Sequence, residues 1–263
     1  MVNGQCFMKE KLTVIKVGGK IVEEAETLQK LLHDFAAIKG YKVLVHGGGR
    51  SATKIAAQLG IESQMLNGRR ITDAETLKVV TMVYGGLVNK NIVAGLQALG
   101  VNAVGLTGAD MNVILSDKRP VKDIDYGFVG DVKKVDSQRL ADIIHLGIVP
   151  VMAPLTHDGK GNILNTNADT IAGETAKGLA TLFDVTLIYC FEKKGVLRDE
   201  ADDDSVIEEI NRQQFAELVQ EGVIQGGMIP KLENAFEAID AGVSQVIITS
   251  SNAIDGLHGT KIS

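Results

Sequence analysis

Apolar residues fall along this chain in two alternating rhythms. Short, nearly unbroken runs have the pattern of strands buried on both faces: "LTVIKV" (12–17), "VLV" (43–45), "GIVPVMAPL" (147–155), "VTLIYCF" (185–191) and "VSQVIITS" (243–250). Between them, apolar positions recur at helical spacing. Leu28, Leu31, Leu32, Phe35 and Ile38 predict a helix over 23–39, and Gly40 is placed to stop it. Further helical text covers 51–60 and 73–99, the latter with Gly85-Gly86 as a kink or break. Asp136 or Ser137 caps a helix to about His145, another follows the "NTNAD" loop (165–169), and others open near Arg212 and Met228. "VNAVGL" (101–106), "NVILSD" (112–117) and "DYGFVGDVKKVD" (125–136) add strands.

Strand alternating with helix is the signature of an α/β protein with a parallel sheet. The segment "IESQMLNGRRIT" (61–72) departs from that rhythm. Its Asn67-Gly68 pair signals a type I′ hairpin, a candidate lid over the sheet edge. No linker or repeat interrupts the text. The reading is a single domain over 9–263, preceded by a loose extension (1–8). It has two lobes on one continuous sheet, about 9–172 and 173–263.

Composition narrows the classes. The 263 residues are ample for a real core. A net charge of -6 argues against general nucleic-acid binding. Cys6 and Cys190 are far apart, without metal-ligand spacing, which fits a reducing, cytoplasmic compartment. The sequence shows neither a signal-peptide core nor a run of about 18 apolar residues, so no membrane partner is expected.

Glycines stand directly after two strands: Gly18-Gly19 and Gly47-Gly48-Gly49. Bare backbone N–H groups at the carboxyl edge of a parallel sheet, backed by helix N-termini, make anion sites; tight turns without a ligand are the alternative. No Walker A pattern or dinucleotide fingerprint occurs. Lys16 lies between Ile15 and Val17, an expensive place for an ammonium without a partner. It either snorkels to the sheet edge or is a point charge aimed at phosphates. Lys231 follows Gly226-Gly227 in the first turn of a helix, where a solvated lysine is also ordinary. Arg70, after the hairpin, has the fork that grips a carboxylate. Asn165, Asn167 and Asp169 precede a helix as caps or ligand contacts. His46 reads as structural, Cys190 as core, and Asp199–Asp204 as a solvated loop.

Taken together, "IKVGGK", "VHGGGR", "NGRRIT", "LNTNAD" and "GGMIPK" resemble the amino-acid kinase family over essentially the whole chain from residue 12. The resemblance implies an open three-layer αβα sandwich with a central, mostly parallel sheet, acyl-glutamate in the N-lobe and ATP in the C-lobe. It implies ATP-dependent phosphorylation of the γ-carboxylate of N-acetyl-L-glutamate in arginine biosynthesis, with magnesium. Lys16 and Lys231 match the lysines that stabilise the transferring group, and Asp169 the aspartate that orients them. Gly48, Gly49, Arg70 and Asn165 match substrate contacts. Gly18, Gly19, Glu192, Gly195, Gly227 and Met228 match the nucleotide side. Glu192 departs from the aspartate usual there, and a lysine cluster found before the "NG" turn in some relatives is absent. The metal is expected on the phosphates, with no dedicated acidic cage.

N-succinyl-L-glutamate, other acceptors of the family, or a non-catalytic sensor on the same fold are the alternatives. Arginine-inhibited relatives carry an extra N-terminal helix. The short text before Leu12 leads to the expectation of a homodimer joined through N-lobes that ignores arginine.

Overall fold

The buried runs form strands and the amphipathic segments cover both of their faces. The structure, a computed structural model, describes residues 9–66 and 69–263; the extension 1–8 and the Asn67-Gly68 turn lie outside the described residues. In chain order the first half comprises β1 (Lys11–Val17), α1 (Gly19–Glu23), α2 (Ala25–Ala37), β2 (Tyr41–His46), α3 (Gly49–Gln58), β3 (Met65–Leu66), β4 (Arg69–Arg70), α4 (Ala74–Val80), α5 (Asn89–Ala98) and β5 (Ala103–Leu106). There follow β6 (Ile114–Lys118), β7 (Gly130–Val135), α6 (Ser137–His145), β8 (Val149–Met152), β9 (Leu155–His157), β10 (Ile163–Asn165) and α7 (Ala168–Ala180). The last third holds β11 (Asp184–Phe191), β12 (Glu209–Ile210), α8 (Arg212–Gln220), α9 (Met228–Asp240), β13 (Gln245–Ser250) and β14 (Thr260–Ile262).

Eight strands make one sheet in the order β12-β14-β13-β11-β1-β2-β8-β5. The run from β13 to β5 is parallel; β14 returns antiparallel beside β13. β1 is central, flanked by β11 and β2 over nearly its whole length. Both faces are therefore covered, as the unbroken apolar runs require. Leu12 and Val14 pack on one side with Leu140, Ile171, Leu179, Leu232 and Phe236, from α6, α7 and α9. Ile15 and Val17 pack on the other with Leu31, Phe35, Ala52, Val80 and Ile92, from α2, α3, α4 and α5. This is the expected three-layer sandwich. A second, four-stranded sheet (β10-β9-β6-β7), which strand text alone did not separate, is tied to the chain just past the end of β5, where Gly108 N–H donates to Leu155 O of β9 (2.7 Å).

Two elements differ from expectation. The helix expected over 23–39 is present as α2 (Ala25–Ala37), but a short α1 (Gly19–Glu23) precedes it unannounced, parted from it where Glu24 leaves helical geometry (φ -87, ψ 109). The long helix does not break at Gly85-Gly86. α4 and α5 are joined by a π-helical segment, Thr81–Val88, into one rod from Ala74 to Ala98. That rod is long and apolar enough to cross a membrane. It is instead a core helix, since Val79, Val80, Val83, Ile92 and Leu96 are fully buried against the sheet.

Candidate active site

The parallel strands β1, β2 and β11 deliver their carboxyl ends to one edge, where ligands bind in open α/β sheets. Gly18 caps α1 and Gly48 caps α3, so two helix N-termini meet there. The two glycine loops touch backbone to backbone. A Cβ on Gly47 would lie 3.0 Å from Gly19 N, and one on Gly48 would lie 2.9 Å from the Tyr84 ring. Only glycine permits that approach, which leaves first-turn N–H groups of both helices facing the edge.

Lys16 is buried, and Asp169 sits beside it at the start of α7. The register that pairs Lys16 with Tyr189 turns its side chain to the α7 face, where Nζ lies 2.7 Å from Asp169 Oδ1. Asn167 caps α7 by accepting from the Asp169 and Thr170 amides, which fixes the turn carrying that carboxylate. Lys231, in the first turn of α9, places Nζ 3.9 Å from the Phe191 ring centroid; Lys16 Nζ is 5.4 Å from the same ring. Burial holds the Lys231 amine below the ordinary lysine value, and Lys16 adds to that, while Asp169 pulls it back up. Two lysine amines thus gather over one aromatic face, one of them paired with the Asp169 carboxylate and the other within its field. Such a pair concentrates positive charge at the sheet edge, with Lys16 buried and Lys231 partly buried.

A cavity of about 200 Å³ opens next to this cluster. Gly48 and Gly49 line it from α3, and Ala168 and Thr170 from α7. Arg70 is buried on its wall: Nη1 donates to Ser63 Oγ, and Nη2 donates to Gly49 O and Thr53 Oγ1. The guanidinium is fixed in place with donors to spare, since it carries five. Asn165 Nδ2 donates to Thr72 Oγ1, which holds the asparagine at the wall. Two helix N-termini and a fixed arginine make a site for a small molecule bearing carboxylates.

The residues read from sequence fall into groups. Lys16, Asp169 and Lys231 converge, and Gly48, Gly49, Arg70 and Asn165 line the cavity. Gly18 and Gly19 stand between the two. Gly227 caps α9, with open space around it, and Met228 begins that helix, half-buried against the core. Glu192, at the end of β11, bridges Lys20 (3.3 Å) and Arg50 (3.5 Å), the residues next to the two glycine runs. Gly195 packs against Thr260 and Val206.

Sequence reading missed Phe191, Tyr84, Arg119 and Asp131. Arg119 forms a forked ion pair with Asp131 and stacks over Tyr126 (5.3 Å), and the pair lines the cavity. No motif marks them; the antiparallel pairing of β6 and β7 brings them together. Among the described residues no three acidic, histidine or cysteine side chains converge as a metal cage.

A sheet-edge site for phosphates and carboxylates on this topology defines a class of phosphotransferase. The chain belongs to the amino acid kinase family, whose model matches residues 11–250. It is 80% identical over 255 residues to the acetylglutamate kinase of Bacteroides thetaiotaomicron, covering 97% of this chain and 99% of that protein. Among solved structures, smu.665 from Streptococcus mutans superposes with a TM-score of 0.77 at 31% identity, over 96% of this chain and 98% of that one. Carbamate kinase from Giardia lamblia bound to AMP-PNP shares the fold, with a TM-score of 0.68 at 16% identity over 97% and 98% of the two chains.

Proposed function

We infer that this chain is an acetylglutamate kinase: it transfers the γ-phosphoryl group of ATP to the γ-carboxylate of N-acetyl-L-glutamate, a step of arginine biosynthesis. The observation that carries the reading is the convergence of Lys16, Asp169 and Lys231 beside the Arg70–Asn165 cavity. The acceptor lies in the cavity with its α-carboxylate on Arg70 and its γ-carboxylate toward Lys16. ATP lies over the C-terminal part of the sheet, along Gly19, Glu192, Gly227 and Met228, so the N-lobe (9–172) serves the acceptor and the C-lobe (173–263) the nucleotide.

One acceptor oxygen forms a bond to phosphorus as the bond to the ADP oxygen breaks, and no proton changes hands. A carboxylate with an ordinary pKa near ~4.3 is already ionised, so no general base is required. Catalysis is positioning and charge neutralisation. Lys16 and Lys231 neutralise charge on the transferring group, and Asp169 orients both amines. Among the described residues no side chains form a cage for magnesium. We propose that the ion arrives on the ATP phosphates, where it supplies further charge neutralisation.

A panel of acceptors tests this reading by ADP release. N-acetyl-L-glutamate is turned over, while free glutamate and carbamate are not; release that ignores the acceptor overturns it. N-succinyl-L-glutamate belongs in the panel for a specific reason. Arg69 and Arg119 line the same cavity as Arg70, and Arg119 Nη1 is buried without a hydrogen-bond partner. Arg69 offers a second carboxylate on the acyl group a counter-charge there, the Arg119 charge being already paired with Asp131.

Arg70→Lys is expected to raise the KM for the acyl-glutamate by at least about tenfold and to spare that for ATP, because a lysine cannot reproduce a fork. Equal effects on both substrates contradict the assignment.

We also propose a cytoplasmic homodimer, joined along the rod Ala74–Ala98. Met82 and Leu87 are about half exposed there (55% and 49%), and nothing crowds Gly86 between them. Light scattering is expected to give twice the chain mass, and Met82→Glu with Leu87→Glu to give a monomer. A wild-type monomer contradicts it.

A further inference from the structure

His46 is completely buried at the end of β2, and the chemistry above does not use it. Its Nδ1 lies 2.7 Å from the Gly47 carbonyl oxygen. A carbonyl only accepts, so Nδ1 carries the proton and Nε2 is left as an acceptor. Asn89 Nδ2 donates to it at 3.0 Å. Asn89 Nδ2 also donates to Val151 O (2.9 Å), and Asn89 Oδ1 accepts from Lys90 Nζ (3.1 Å). Lys90 Nζ donates to Gly105 O as well. Every polar atom of the imidazole and the amide is satisfied. A buried network of that kind fixes geometry. Burial, with Lys90 nearby, pushes the His46 pKa down to about 4, so the ring is neutral in working conditions.

The chain makes room for this network. A Cβ on Gly105 would lie 1.7 Å from Asn89 Oδ1. The π-helical segment supplies the other half. Tyr84 and Asn89 are five residues apart, which in an α-helix puts them about 140° apart around the axis. In π-helical winding, residues i and i+5 hydrogen-bond and share a face. Here Tyr84 packs on Gly48 while Asn89 holds His46, and through it Gly47. Both ends of the Gly47–Gly48 unit are therefore gripped from one helix.

We propose that His46 and Asn89 are positioning residues for phosphoryl transfer, acting through the Gly47–Gly48 peptide, and that the π-helical segment brings Asn89 and Tyr84 onto that peptide together. The proposal rests on the kinase reading above. A trans peptide is planar, so fixing the Gly47 carbonyl also fixes the Gly48 N–H on the opposite side. Gly48 lines the cavity, so a tilt of this plane displaces a donor at the site. A displacement of about 1 Å can cost up to about 100-fold in rate.

The test compares wild type, His46→Leu, His46→Asn and Asn89→Leu, with thermal unfolding recorded for each. Leucine keeps volume and removes the bonds; the side-chain amide introduced by His46→Asn retains a donor that can reach Gly47 O. Both leucine variants are expected to lower kcat roughly 10- to 100-fold with little change in the KM for ATP. His46→Asn recovers most of that loss. In wild type, long-range ¹H–¹⁵N spectra show the Nδ1-protonated neutral tautomer of His46, which does not depend on any variant folding. A folded Asn89→Leu protein with normal kcat overturns the proposal, as does an Nε2-protonated ring in wild type. A loss that tracks unfolding temperature with no rescue by His46→Asn also overturns it. These results leave the kinase reading intact, whereas a wild type inactive on N-acyl-glutamates removes both.

Discussion

Replacing Lys231 with alanine is expected to lower turnover by about 10²–10³, and replacing Lys16 to do the same, with much smaller changes in acyl-glutamate KM. The magnitude is that of removing one preorganised donor from developing transition-state charge. Both amines lie close to Phe191; Lys16 is paired with Asp169, and Lys231 feels the same carboxylate without an ion pair to it, so neither takes the other's place. Lys16 is held in a strand between β2 and β11. Lys231 stands on a different element, the first turn of α9, so movement of that helix would change its distance to the phosphates without moving Lys16. Steady-state kinetics with both substrates varied checks the prediction. Near-normal kcat in either variant, or a loss confined to KM, removes that lysine from the transition state.

Asp169→Asn is expected to cost about 10² in kcat and to move the alkaline limb of the pH–rate profile. The sign follows from the surroundings of Lys231. Its ammonium is disfavoured by burial and by Lys16 and is supported by Asp169. Activity requires the protonated amine, so rate falls as pH rises through its pKa. Without the carboxylate that pKa drops further, and the limb shifts to lower pH. A pH profile of kcat at saturating substrates reads this directly. An alkaline limb that stays where wild type has it contradicts the role given to Asp169.

What could be read from the chain was what is local. Lys16 stands out because an isolated cation in a buried strand needs a reason, and the glycine runs stand out because they follow strands at once. Their meeting at one edge follows from parallel pairing, which the strand–helix alternation implies. Phe191 was not legible: an aromatic at a strand end looks like any core residue. Its position under both lysines depends on the pairing of Lys16 with Tyr189. Arg119 and Asp131 were hidden for a similar reason, being joined only by the pairing of β6 with β7, across a loop. Gly85-Gly86 misled because glycine weakens an isolated helix. Here the segment is packed, and a Cβ on Gly85 would already touch Leu155 at 3.4 Å. Tertiary contacts hold the turn, which widens into π-helical winding instead of breaking. Glu192 was legible only as a residue at a strand end; the fold makes it span the two glycine runs through Lys20 and Arg50.

The most direct measurement is product capture. Wild-type enzyme, magnesium, ATP and N-acetyl-L-glutamate are incubated with hydroxylamine, which converts an acyl phosphate into a stable hydroxamate. The account predicts one γ-hydroxamate per ADP released, and its loss in Lys231→Ala. ADP release without hydroxamate, or hydroxamate formed at the wild-type rate by Lys231→Ala, would contradict it.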